Sequence, residues 1–97
     1  MNKGLSCGIL YFQSIDGYSL MVMKNKRISV LDLSLAGIGN ILPGDLYMRI
    51  HRNYLVNLDE ISELRYYPEG FFASICGIRI PVSRRSRKIL LNSLDVL

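Results

Sequence analysis

The residues of this chain best equipped for chemistry stand together at His51-Arg52-Asn53, where a titratable ring, a permanent cation and a neutral amide follow one another. His51 is the single histidine, and pairing it with Asp59 or Glu60 as acid and base leaves no nucleophile or oxyanion site beside it. The chain has no Gly-rich phosphate loop ending in Lys-Ser/Thr, no His-Glu-x-x-His and no Gly-x-Ser-x-Gly. An enzyme is therefore not expected. Recognition suits these groups better, because Arg can read guanine through O6 and N7 and Asn can read adenine through N6 and N7.

A second set of groups lies further on, where Arg79, Arg84, Arg85, Arg87 and Lys88 fall within ten residues and include no acid between them. The acids lie elsewhere, half of the eight at Asp59, Glu60, Glu63 and Glu69, in a chain whose net charge is +4. Positive charge segregated in this way is the footprint of a polyanionic partner; a plain solvated face is the competing reading. Cys7 and Cys76 lack Cys-x-x-Cys spacing and neighbouring histidines, so no metal site or cofactor is expected. Cys76, in an apolar stretch, is expected to be a small core residue.

The elements that must position these groups are mostly strands. Ninety-seven residues with 49% hydrophobic content suffice for one core, and residues 1–97 are expected to form a single domain. Gly8 to Gln13 and Tyr18 to Met23 are β-prone and flank an Asp16-Gly17 turn, the pattern of a hairpin. A turn at Lys24-Asn25-Lys26 leads into a strand from Arg27 to Leu31. Asp32 or Ser34 can cap a short helix with Leu35, Ile38, Ile41 and Leu42 on its apolar side, ended by Pro43-Gly44 and weakened by Gly37 and Gly39. Leu46, Met48 and Ile50 alternate with Tyr47, Arg49 and His51, which predicts a half-buried strand ending at the polar bend.

Beyond a polar corner at Asp59-Glu60, Ile61 to Tyr67 and Phe71 to Cys76 flank Pro68-Glu69-Gly70, and Gly77 turns the chain into Ile78 to Val82. Pro81 cannot donate to a ladder, so this last strand is an edge or is ending. The aromatics Tyr66, Tyr67, Phe71 and Phe72 are expected in the core. Ser83 is placed to cap a closing helix from Arg84 to about Ser93, with Leu90 and Leu94 on one face and Ile89 and Leu97 beside it. That helix opens on Arg84, Arg85 and Arg87, where the macrodipole disfavours cations by about 0.3–1 kcal/mol each. An incoming phosphate reverses the sign of that interaction.

The segment Met48-Arg-Ile-His-Arg-Asn-Tyr-Leu-Val-Asn57, followed by Ile80-Pro-Val-Ser-Arg-Arg-Ser-Arg-Lys88, resembles the LytTR family of bacterial DNA-binding domains, and the likeness runs from about Ile9 to Leu94. The resemblance implies a mainly β fold with short helices, an elongated antiparallel sheet arrangement with one middle helix and a C-terminal helix. It implies sequence-specific binding of double-stranded DNA as the output domain of a response regulator in a two-component system, with loops and the first turn of the last helix in the major groove. Carried onto matching positions, the DNA-contacting residues are His51, Arg52, Asn53, Arg84, Arg85 and Arg87, with Lys88 and the Asp16-Gly17-Tyr18 loop beside them. Arg52 and Arg84 are the leading base readers, and Lys24, Lys26 and Arg27 at most touch phosphates.

Some relatives carry Asn where this chain has Arg52, so a base preference different from theirs is expected. His51 is alternatively structural, its ring bonding adjacent backbone to fix the bend. Tyr54 and Asn57 are expected to shape the fold. Such domains carry an upstream strand, yet Met1 to Cys7 holds little pattern, so the N-terminal edge is expected to be short or truncated. Partners implied by the resemblance are paired direct repeats of DNA and a receiver domain or membrane segment outside this chain, with no small-molecule substrate. Without a signal peptide or an apolar run of about 18 residues, a cytoplasmic setting is expected. Two other readings of the basic face remain: a small β-rich protein-interaction module and, with less support, RNA binding.

Overall fold

The hairpins form where the sequence can turn. Asp16 and Gly17 adopt φ of 47° and 84°, the paired positive values of a two-residue turn that matches strand twist, and β1 (Ile9–Ile15) folds back onto β2 (Tyr18–Met23). Cys76 and Gly77 repeat the device at φ 49° and 81°, joining β7 (Gly70–Ile75) to β8 (Ile78–Pro81). Cys76 is thus exposed in a turn and is not the core residue its apolar neighbours suggested. The strand ends one residue earlier because the turn needs two central positions.

The computed structural model describes residues 8–93, so Cys7, Leu94, Leu97 and the segment Met1 to Leu5 lie outside the described residues. In chain order the remaining elements are β3 (Ile28–Leu31), α1 (Leu35–Ile41), β4 (Tyr47–His51), β5 (Tyr54–Asn57), a 3-10 turn at Leu58–Glu60, β6 (Ile61–Tyr67) and α2 (Arg84–Ser93). All strand pairs are antiparallel. They build a five-stranded sheet in the order β3-β2-β1-β5-β4 and a three-stranded sheet in the order β6-β7-β8.

The three-stranded sheet packs against one face of the larger sheet. Tyr11, Val22, Ile50 and Val56 from one meet Phe71, Ala73, Ile75 and Ile80 from the other, and Leu90 of α2 closes the same cluster. Ile50, Ile75, Ile80 and Leu90 are almost wholly enclosed, each contributing about 1.5–3 kcal/mol of transfer free energy. On the opposite face α1 lays Leu35 and Ile38 over Ile9, Phe12, Tyr47 and Leu55. One sheet stacks on the other instead of prolonging it, and the molecule measures 34 × 33 × 24 Å.

Two-sided coverage also changes β4. Its residues do not sort into one buried and one exposed row: Tyr47 is buried on the α1 side with Leu46 beside it, whereas Met48 and Ile50 face the inter-sheet core. The pairing with β5 slips between Arg49 and His51, a bulge that re-aims the end of the strand just before the bend. In α1, Ser34 is the cap, accepting from the Gly37 amide at 3.0 Å, and Ile41 is 73% exposed at the last position instead of on the apolar side. Leu42 leaves the helix in extended conformation, as a residue before proline does. Pro81 ends β8, an edge strand, as its missing donor requires.

Candidate nucleic-acid interface

Three segments far apart in the chain converge at one end of the five-stranded sheet. Since β1 and β5 are antiparallel, the Asp16-Gly17 turn lies beside the β4–β5 bend, and the Ser14 amide donates to the Asn53 carbonyl at 2.9 Å. The third segment is the start of α2. Ser83 N–H donates to the Ile50 carbonyl at 2.8 Å, and the buried Ser86 hydroxyl donates to the Arg49 carbonyl at 3.2 Å, fastening the helix to β4. Ser83 caps α2 as expected, its oxygen accepting from the Ser86 amide at 3.2 Å while its hydroxyl donates to Ser86 Oγ at 3.0 Å.

The bend itself is held by its own side chains. His51 Nδ1 accepts from the Asn53 amide at 3.1 Å, and Arg49 Nη2 donates to the Arg52 carbonyl at 2.8 Å. His51 also meets the Tyr54 ring edge-on at 5.6 Å. Burial, and then the Arg52 charge, lower the His51 pKa below its ordinary value, which suits a ring nitrogen that must stay unprotonated to accept. With its backbone so fixed, Arg52 is free to project outward, and both it and Asn53 are exposed.

Helical geometry sorts the basic residues of α2 onto three flanks. Ser86 and Leu90 point inward. Arg85 and Ile89 face the bend and, with Met48, Arg49, His51, Arg52, Ser83 and Ser86, line an open cleft of ≈ 500 Å³ with an apolar floor and a cationic rim. Arg84 and Lys88, one turn apart, are exposed. Arg87 turns to the other side, half-buried, with its guanidinium 5.2 Å from the Tyr66 ring and 5.3 Å from Phe71. No acid occupies the first turn, so no carboxylate there offsets the charge of the helix amides and the arginines.

The structure thus brings His51, Arg52, Asn53 and Arg85 together, with Arg84 and Lys88 on the adjoining flank, and places Tyr18, 51% exposed, on the neighbouring hairpin. It separates others. Arg79 stacks over Tyr67 at 4.0 Å in the three-stranded sheet, and Lys24, Lys26 and Arg27 sit at the opposite end of β2, where Lys24 pairs with Glu60 at 3.0 Å. Of the four aromatics expected in the core, only Phe71 is fully buried, and Tyr66 is 63% exposed. Asn57 is structural, its amide donating to the Ile9 carbonyl at 2.8 Å and its oxygen accepting from the Asp59 amide at 3.1 Å.

Sequence reasoning passed over Arg49 and Ser86, the residues that hold the bend and dock the helix. Arg49 was legible only as an outward strand position. Ser86 carries no local signal, because its partner is 37 residues away.

The LytTr DNA-binding domain family model matches residues 6–95, nearly the whole chain. The chain belongs to the LytTR family. A solved structure similar to this LytTR domain is the LytTr DNA-binding domain of a Bacillus cereus protein described as a methyl-accepting/DNA response regulator. The two share 25% identity at a TM-score of 0.78, over 92% of this chain and 83% of that one. No curated protein matches it in sequence. The fold is therefore the mainly β LytTR fold with its antiparallel sheets and two helices, and its activity is DNA binding in the regulation of transcription. No helix among the described residues is long and apolar enough to cross a membrane.

Proposed function

We propose that this LytTR domain is the sequence-reading output domain of a bacterial response regulator, and that it enters the major groove with the β4–β5 bend and the first turn of α2. The observation that carries this reading is the fastening of α2 to β4 through Ser83 and Ser86, which sets two basic, base-competent segments side by side. Arg52 and Arg84 read bases. Asn53 reads a base or positions the strand, Arg85, Arg87, Lys88 and Tyr18 engage phosphates, and His51 holds the bend. A B-DNA major groove about 12 Å wide admits a helix end or a two-stranded ribbon, and here a loop and a helix turn share it. The domain acts without catalysis. It works in the cytoplasm on paired direct repeats, under control of a receiver or membrane-linked input.

The test is selection of the domain against a randomised duplex pool at near-physiological salt, repeated with Arg52→Ala and Arg84→Ala. One enriched motif is expected, degraded at different positions by the two variants, with each base reader worth about 1–3 kcal/mol on the preferred site. Retention of DNA without any motif would leave a non-specific basic surface, and the base-reading assignment would fall.

A further inference from the structure

Arg87 is a cation on the first turn of α2 that faces away from the β4–β5 bend, and what it faces is Tyr66 of β6. Its Nε is enclosed and has no hydrogen-bond partner among the described residues, and neither ion pair found there includes it. Two aromatic faces hold it instead, Tyr66 at 5.2 Å and Phe71 at 5.3 Å. Rings fix a guanidinium without neutralising it, so its charge stays available to an anion.

Tyr66 is unusual in turn. Its ring packs on Phe71 at 4.6 Å and under Arg87, yet 63% of the residue is exposed. Along β6 it shares the inner side with Leu64, at the rim where that side runs past the core toward α2, while Arg65, Tyr67 and Arg79 stack on the outer side. A tyrosine clamped in this way presents its hydroxyl with little rotamer freedom left to lose on binding. The first turn of α2 therefore lies between two flanking structures, the β4–β5 bend on its Arg85 side and the β6–β7 hairpin on its Arg87 side.

From this juxtaposition we infer that Tyr66 is a further DNA contact, its hydroxyl donating to a backbone phosphate beside the groove, with Arg87 as the positioning residue that clamps its ring and adds charge to the same phosphate. The inference rests on the DNA-binding reading above and adds to it a third element, the β6–β7 hairpin. The contact carries no base information, so it strengthens binding to all duplexes alike.

The experiment uses the full chain, its selected duplex and a scrambled duplex, with affinities measured by fluorescence anisotropy. Tyr66→Phe keeps the ring and removes only the hydroxyl. It is expected to weaken binding about 3- to 10-fold on both duplexes, the net worth of one ordinary hydrogen bond at a site where water competes. The melting temperature should not move, and ethylation of one phosphate flanking the site should cease to interfere. In an Arg87→Lys background, which keeps the charge but not the planar stack, adding Tyr66→Phe should cost less than it does alone. Tyr66→Phe binding as tightly as the parent would overturn the contact. Additive effects of the two substitutions would overturn the positioning role of Arg87. Failure of the parent chain to bind either duplex would bring down the DNA reading together with this one.

Discussion

Replacing Ser86 by Ala tests whether the interface is assembled by the docking of α2. The side chain is 8% exposed, donates to the Arg49 carbonyl at 3.2 Å and receives the Ser83 hydroxyl at 3.0 Å. Alanine keeps the helix former and nearly the volume, so the loss is confined to those two hydrogen bonds. A net hydrogen bond is worth about 0.5–1.5 kcal/mol, and part of this one's loss is recovered by water at the strand edge, which puts the cost near 1.5 kcal/mol. For a domain of this size that corresponds to a fall of about 6–12 °C in melting temperature, read by circular dichroism. The functional consequence follows from position. With its tie to β4 reduced to the Ser83 amide, the first turn of α2 loses register with the bend, and affinity for the selected duplex should drop several-fold while the Arg52 and Asn53 amide resonances shift. A melting temperature within about 2 °C of the parent, together with unchanged affinity and unmoved amide resonances, would refute the claim that this hydroxyl docks the helix.

Three further outcomes are expected. Because burial and Arg52 lower the folded-state pKa of His51, its contribution is fully present above the ordinary value of about 6.5 and is lost as pH falls through the folded value. In the free domain the Asn53 amide should therefore report a titration by NMR with a midpoint below about 6.5, and a midpoint above it would contradict the Nδ1 acceptor role. Asn57→Ala removes both the Ile9 and the Asp59 partners from a buried position and should cost about 2–3 kcal/mol by urea denaturation. Gly77→Ala meets no atom within 4 Å but keeps φ at +81°, so a loss of about 1 kcal/mol would come from the backbone alone, and an unchanged midpoint would show that the turn has another conformation open to it.

Much of the fold was legible because local chemistry and tertiary need agree. Asp16-Gly17 demanded a tight turn, Pro81 demanded an edge, and Ser83 demanded a helix start, and each is found. Where the reading failed, the deciding partner was remote. Tyr47 looked outward by alternation but is covered by α1, Cys76 looked like a core residue until a two-residue turn claimed it, and Arg87 looked equivalent to its neighbours although only Arg85 faces the bend. The bend residues could be named from their types. How they are held could not, since the Ser86 to Arg49 and Ser14 to Asn53 bonds join segments with no common local pattern.

That joining has a thermodynamic corollary. The recognition surface proposed for β1–β2, β4–β5 and α2 exists only while both sheets and the closing helix are in place, so neither half of the chain should retain it as a peptide. Duplex DNA then acts as a brace across the whole domain. At a free duplex concentration 100 times the dissociation constant it adds about 2.7 kcal/mol to global stability. That gain should appear even at amides such as Ile75 and Leu90, which lie in the shared core, slowing their exchange with solvent deuterons when the duplex is present.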